Sequence, residues 1–72
     1  MTAPACLLVI DDEEPILRFL RHGLSGQPYR LIEARNGANG LAMTATHSPQ
    51  VVLLDLGLPD LDGQEVLRRI RE

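Results

Sequence analysis

Three aspartates at the ends of two apolar runs carry the chemistry that this sequence predicts. Asp11 and Asp12 directly follow the run 6–10, and Asp55 directly follows the run 51–54. Apolar runs of this length, rich in Val, Ile and Leu, are typical of strands buried on both faces of a parallel sheet. Because ligands of open α/β sheets bind at the carboxyl ends of such strands, we expect the three carboxylates to form one acidic pocket.

An acidic pocket of this kind favours a divalent cation. Crowded carboxylates repel one another unless a cation joins them, and Mg²⁺ prefers carboxylate oxygens, a backbone carbonyl and water. We expect Asp11 and Asp12 to hold Mg²⁺, with Asp55 as a further ligand and as the nucleophile that accepts a phosphoryl group. Gly57 is expected to offer its backbone carbonyl to the metal. For any single aspartate a polar strand end is the alternative, and Asp12 alone is explained by helix capping.

Length and charge limit the functions open to the chain. Its 72 residues make at most one small domain, and a net charge of −3 argues against direct binding to nucleic acid. No apolar run approaches the ~18 residues of a membrane span, so we expect a cytoplasmic protein that does not contact a membrane. The single cysteine, Cys6, is expected in the core. All seven basic residues are arginine, and the chain has no lysine.

The rest of the pattern predicts three strand–helix units of an α/β protein. Right-handed crossovers permit two parallel neighbours for the first strand, which gives the strand order 2-1-3. That order sets the ends of strands one and three side by side, about 4.8 Å apart. The predicted elements are a disordered leader over 1–5, strands at about 6–11, 29–34 and 50–55, and one helix after each strand, the second at about 38–47.

Capping residues predict where two of the helices begin, and apolar periodicity predicts which helix faces turn towards the sheet. Asp12 is the expected N-cap of helix one, and Asp62 with Glu65 three residues later resembles a capping box for helix three. Apolar residues at helical spacing are expected to pack on the sheet. These are Ile16, Phe19, Leu20 and Leu24 in helix one, Leu41, Ala42 and Ala45 in helix two, and Val66, Leu67 and Ile70 in helix three.

Several of these residues together resemble the receiver domain of two-component response regulators. The strings 8–13 and 54–60, followed by Asp62 and Gly63, carry the resemblance, which covers residues 6–72. The second string resembles especially the Kdp-type regulators of potassium transport, which belong to the OmpR-like group with winged-helix DNA-binding domains. The resemblance implies a flavodoxin-like (CheY-like) fold, which is a three-layer, doubly wound parallel sheet.

The resemblance also implies a function and a partner. Asp55 would accept a phosphoryl group from the phosphohistidine of a sensor histidine kinase, while Asp11, Asp12, Asp55 and the Gly57 carbonyl bind Mg²⁺. The chain would then be a phosphoacceptor in a phosphorelay that controls transcription, not an enzyme with turnover. The kinase-facing surface would lie around helix one. Its expected residues are Leu17, Arg18 and Arg21.

The match covers only the first three of the five strand–helix units that receivers usually have. The Ser/Thr after strand four and the lysine that ends strand five belong to the unmatched part, so we expect phosphorylation and switching by this chain to be impaired. Strand three is central in a complete receiver. Here it is expected to be an exposed apolar edge through which the chain self-associates.

Two other functions stay open on the residues alone. A metal-dependent phosphatase or nucleotidyl-transfer enzyme also gathers acids at parallel strand ends, although this chain has neither a phosphate-binding Gly loop nor a lysine. A non-catalytic interaction module that binds a kinase or a full-length regulator would use the same surface as a phosphoacceptor. The sequence does not separate that module from the phosphoacceptor.

Overall fold

The computed structural model describes residues 4–72 and shows three strands alternating with three helices. No helix in this part of the chain is long and apolar enough to cross a bilayer. The expected leader falls partly on residues 1–3, which lie outside the described residues, and Ala5 already belongs to the first strand. The elements are β1 (Ala5–Ile10), α1 (Glu14–Leu24), β2 (Tyr29–Ala34), α2 (Gly37–His47), β3 (Val51–Leu54) and α3 (Gly63–Ile70).

The three strands form one parallel sheet in the order β2-β1-β3. Ile10, the last residue of β1, lies opposite Ala34 on one side and Leu54 on the other. β1 is therefore the central strand, and β2 and β3 are the edges, as the sequence predicted. All six residues of β1 pair with β2 and four of them pair with β3, so the β3 side of the sheet is the less completely paired.

A closed core lies between the sheet and the pair α2 and α3. Leu8, Ile10 and Val66 are fully buried there, and Ala34 is nearly so. Leu8 and Ile10 share this face because alternate residues of a strand point to the same side. Gly40 lets α2 approach closely, since a Cβ at that position would lie 2.5 Å from the Cδ1 atom of Ile10.

Of the three helices in the described part of the chain, only α1 covers the opposite face of the sheet. Leu17 is fully buried there, although it was expected on the kinase-facing surface. Ile16 and Phe19 were expected to pack inward, yet they are 42% and 74% exposed. Apolar residues do recur at helical spacing in α1, but the helix packs towards β2. The β3 side of this face is therefore left uncovered, and Val51 and Leu53 are exposed there.

The expected inner faces of the other two helices are partly wrong. Leu41 packs against the core, but Ala42 and Ala45 are exposed, because α2 approaches the sheet through its buried glycines, including Gly40. In α3, Leu67 is 37% exposed and lies outside the core cluster. A short helix that contacts its neighbours along one narrow line buries only the residues on that line.

The N-cap predicted for α1 is also wrong. Glu13 occupies that position, and its side chain makes no capping hydrogen bond. Asp12 is exposed, and the side chain of Asp11 accepts the Glu13 N–H instead, at 2.9 Å. Pro15 lies in the first turn of α1, where its missing N–H costs nothing.

The capping box predicted for α3 is half correct. Asp62 is the N-cap, and its side chain accepts the N–H of Gln64 at 3.0 Å. Glu65 pairs with Arg68 and Arg69 one turn further along instead of reaching back to the cap. These two guanidinium groups hold the pKa of Glu65 at about 2.

An ion-pair network joins α1 to β2. Arg21 donates hydrogen bonds to Glu33 on β2 and to Glu14 at the start of its own helix, and Arg35 also pairs with Glu14, at 2.6 Å. The Arg21 guanidinium holds the pKa of Glu33 below its usual range. Of the residues expected to face a kinase, Arg21 is therefore engaged within the chain, and Arg18 is exposed.

Two glycines in helices should respond oppositely to alanine. Gly40→Ala is expected to lower the free energy of unfolding by about 1–3 kcal/mol, because the new Cβ overlaps Ile10. Gly23→Ala in α1 meets no atom within 4 Å and should raise it by up to about 1 kcal/mol through helix propensity. Urea unfolding followed by circular dichroism measures both. An equal gain in the two variants would contradict the close packing of α2.

Candidate functional site

The hydrogen-bond ladder of the sheet continues one residue past the strand ends. The Asp55 N–H donates to the Ile10 carbonyl at 2.9 Å, and the Asp11 N–H donates to the Ala34 carbonyl at 3.0 Å. Asp11 and Asp55 are therefore held at the same level on neighbouring strands. Their relative position follows from backbone pairing and does not depend on a flexible loop.

The structure brings together the three aspartates that the sequence singled out. Asp11, Asp12 and Asp55 can each offer a carboxylate oxygen within 4.8 Å of the others. Asp11 and Asp55 are half-buried and Asp12 is exposed. Within residues 4–72, none of the three forms a salt bridge with an arginine. A set of closely spaced oxygen donors with no protein cation among them fits a hard divalent ion.

Hydrogen bonds from backbone N–H groups two residues further along the chain orient two of these carboxylates. Oδ1 of Asp11 accepts the Glu13 N–H, and Oδ1 of Asp55 accepts the N–H of Gly57 at 3.0 Å. Gly57 therefore lies beside the Asp55 carboxylate. A Cβ on Gly57 would approach only the Asp55 carboxylate, at 3.7 Å, so the space around it is open.

The acidic pocket lies at the end of an open apolar groove on the α1 side of the sheet. Asp11 and Asp55 follow Val9 and Leu53 by two residues, so all four side chains belong to the same face. At one end of the groove lie the carboxylates of Asp11 and Asp55, and α1 forms one of its walls. Its lining residues are Val9, Asp11, Ile16, Phe19, Leu20, Leu53, Leu54 and Asp55.

Sequence reasoning missed one residue of this region, Asp60. Its carboxylate accepts hydrogen bonds from the backbone N–H groups of Gly37, at 2.7 Å, and Ala38, at 2.9 Å, which begin α2. These two hydrogen bonds hold the pKa of Asp60 below its usual range. The sequence signal for this contact is that α2 has no acidic residue in its own first turn, so that a carboxylate from another segment can serve the positive end of the helix.

Comparison with known proteins decides the family of this chain. The model of the family described as the response regulator receiver domain matches residues 7–72. The chain belongs to this family. The receiver is 52% identical over 65 residues to the transcriptional regulatory protein KdpE of Mycobacterium tuberculosis, and 46% identical over 66 residues to KdpE of Escherichia coli. The narrower resemblance to Kdp-type regulators is thereby confirmed.

The receiver matches only part of each relative. The alignments cover 90% and 92% of this chain but 29% of each KdpE sequence. The chain thus spans less than a third of the length of these relatives.

Solved structures confirm the receiver fold. The signal receiver domain of an HD domain-containing protein from Pseudomonas fluorescens superposes with a TM-score of 0.91 at 34% identity, covering 99% of this chain and 52% of that one. The manganese-bound form of response regulator Rcp1 superposes with a TM-score of 0.79 at 30% identity, covering 89% of this chain and 52% of that one. The chain therefore corresponds to about half of the solved chain in each case.

Two glycines near the pocket should also respond differently to alanine. A Cβ on Gly63 would lie 2.5 Å from the Leu56 Cα and 3.0 Å from the Asp55 carbonyl oxygen, so Gly63→Ala displaces the backbone that carries Asp55. We expect it to cost about 1–3 kcal/mol of unfolding free energy and to shift the Asp55 amide resonance. Gly57→Ala should stay within about 0.5 kcal/mol of the parent chain. If Gly63→Ala left both quantities unchanged, the close approach of α3 would be refuted.

Proposed function

We propose that this chain is the phosphoacceptor module of a two-component response regulator. Asp55 accepts the phosphoryl group, and Mg²⁺ is bound by Asp11, Asp12, Asp55 and the Gly57 carbonyl. The observation that carries the proposal is the cluster of three carboxylates, with oxygens within 4.8 Å, at the carboxyl ends of adjacent parallel strands. The manganese-bound form of a structural neighbour gives independent support for a divalent ion in this fold.

The chemistry follows from the surroundings of Asp55. Its Oδ1 atom is held by the Gly57 N–H, which leaves the other oxygen to attack phosphorus. In the transfer, an Asp55 O–P bond forms while the N–P bond of a kinase phosphohistidine breaks, and the electron pair returns to the imidazole nitrogen. A bound divalent ion supplies positive charge that offsets the repulsion between the carboxylate and the phosphoryl oxygens. Asp11 and Asp12 keep that charge beside the acceptor.

We further propose that transfer on this segment is slow. The chain has no lysine to place an ammonium group on the phosphoryl oxygens, and the resemblance assigns that lysine to a strand beyond the matched part. Loss of one such electrostatic partner typically costs on the order of 10²-fold or more in rate. The chain is a stoichiometric acceptor and not a turnover enzyme.

The kinase contact of the chain lies on the exposed side of α1, where Arg18 is free of the ion pairs that engage Arg21.

Intact mass measurement tests the acceptor role. The chain is incubated with Mg²⁺ and either acetyl phosphate or a phosphorylated sensor kinase, and the mass is expected to rise by one phosphoryl group. Asp55→Asn should abolish the adduct, while Asp62→Asn, which keeps its N-cap function, should retain it. An adduct that persists in Asp55→Asn would refute the proposed acceptor. Mg²⁺ binding without any adduct would favour the non-catalytic interaction module.

Metal binding is tested by stability. At 100 times its dissociation constant, Mg²⁺ should raise the free energy of unfolding by about 2.7 kcal/mol, because the ion binds only the folded pocket. Asp11→Asn should remove most of this gain by taking one charge from the ligand set. Thermal unfolding with and without Mg²⁺, at fixed ionic strength, measures the effect. The same gain in the parent chain and in Asp11→Asn would exclude the proposed ligand.

We also propose that the receiver self-associates through β3. Within the described residues this strand pairs with β1 on one side only, and its residues Val51 and Leu53 are 50% and 42% exposed. Two β3 strands can pair antiparallel about a two-fold axis with Val52 opposite Val52. In that register Val51 faces Leu53 of the second copy, so the apolar faces coincide and both copies of α1 lie on the same side. The exposed Phe19 side chains then have apolar surface to contact.

Light scattering after size exclusion tests this association. The parent chain is expected to form a dimer, and Leu53→Lys should shift it to a monomer, because a charge on an edge strand opposes strand pairing. Leu67→Lys on α3 is the matched control, since it adds the same charge to a partly exposed leucine away from the edge. A folded parent chain that stays monomeric at high concentration would rule out the association.

A further inference from the structure

Asp60 makes a contact across the fold that lies outside the cluster of three carboxylates. It lies in the loop 56–62, between β3 and α3, yet its two carboxylate oxygens accept separate hydrogen bonds from Gly37 and Ala38. The contact joins segments 23 and 22 residues apart in sequence. A loop that carries the residue after Asp55 is thereby attached to the start of α2.

The start of α2 is built to receive this carboxylate. Asn36 is the N-cap and accepts the Asn39 N–H at 2.8 Å, which leaves the first two N–H groups of the helix for Asp60. A carboxylate at this position is favoured by the positive end of the helix dipole. Because each oxygen meets a different N–H, a neutral amide in its place could satisfy only one of them.

Close packing holds the loop against the same point. A Cβ on Gly37 would lie 2.9 Å from the Cβ atom of Leu61 and 3.0 Å from Val66, so the backbone of α2 touches the residue that follows Asp60. The loop begins directly after Asp55, whose carboxylate accepts the Gly57 N–H. Hydrogen bonding and packing at the middle of the loop therefore limit the movement of the segment that contains Gly57.

We propose that Asp60 is a positioning residue for the metal site. By fixing the loop 56–62 to the start of α2, it holds the Gly57 carbonyl in place for a divalent cation bound to Asp11, Asp12 and Asp55. This inference rests on the proposed function. Asp60 itself does not touch the metal or the phosphoryl group. It acts through the loop in the way that residues outside a ligand set orient the ligands.

The test compares Asp60→Asn with Asp62→Asn in the full chain. Both variants remove one negative charge from the same loop, but Asn at position 62 can still cap α3, whereas Asn at position 60 loses one of its two hydrogen bonds. Calorimetric titration with Mg²⁺ alone is expected to show about tenfold weaker binding for Asp60→Asn. Asp62→Asn should stay within about twofold of the parent chain. Backbone ¹⁵N relaxation should show a more mobile Gly57 amide only in Asp60→Asn.

Other outcomes separate the inference from the proposed function. If Asp60→Asn lowers the melting temperature but binds Mg²⁺ as Asp62→Asn does, Asp60 only stabilises α2 and the inference is wrong. If Asp60→Asn does not fold, Asp60→Glu keeps the charge and should bind Mg²⁺ about two- to fivefold more weakly than the parent chain, whereas equal binding would overturn the inference. If the parent chain binds no Mg²⁺, the proposed function fails. The Gly57 amide then decides alone whether Asp60 fixes the loop.

Discussion

The pairing of β1 with both of its neighbours is the constraint on which the rest of the structure depends. Among the strands of residues 4–72, β1 alone has partners on each side, and its register continues past its end through the Asp11 and Asp55 amides. One set of backbone hydrogen bonds therefore both organises the small core and brings the carboxylates together. A shift of one residue in the pairing of β1 with β3 would turn the Asp55 side chain to the other face of the sheet and separate the cluster.

The two faces of the sheet are unequal, and this bears on both stability and association. The side covered by α2 and α3 has a closed core, while the α1 side leaves Phe19, Val51 and Leu53 largely exposed. In a chain of 72 residues, an uncovered apolar face removes a substantial part of the burial that could stabilise the fold. The ion pairs that Arg21 makes with Glu14 and Glu33 are accessible to solvent and do not replace that burial.

Five aspartates between residues 11 and 62 show how surroundings assign different roles to one side chain. Asp62 caps its own helix, and Asp60 caps a helix that lies earlier in the sequence. Asp11 and Asp55 each orient their carboxylate through a local backbone N–H, and Asp12 is exposed beside them. Divalent ions and helix starts both attract carboxylates, so the residue type alone does not reveal which of the two a given aspartate serves.

The strands, their order and the acidic cluster were readable from the sequence, because apolar runs of strand length and a right-handed crossover leave few arrangements for three units. The hydrogen bonds between Asp60 and the start of α2 were not readable, because they depend on the path of the loop 56–62 relative to α2. Helical spacing correctly indicated an apolar stripe on α1. Only the packed structure decided that Leu17 is buried while Phe19 is exposed, because burial depends on which neighbouring element covers each part of the stripe. Local pattern thus determines the elements and strand ends, and contacts between distant segments determine which side chains those elements cover and cap.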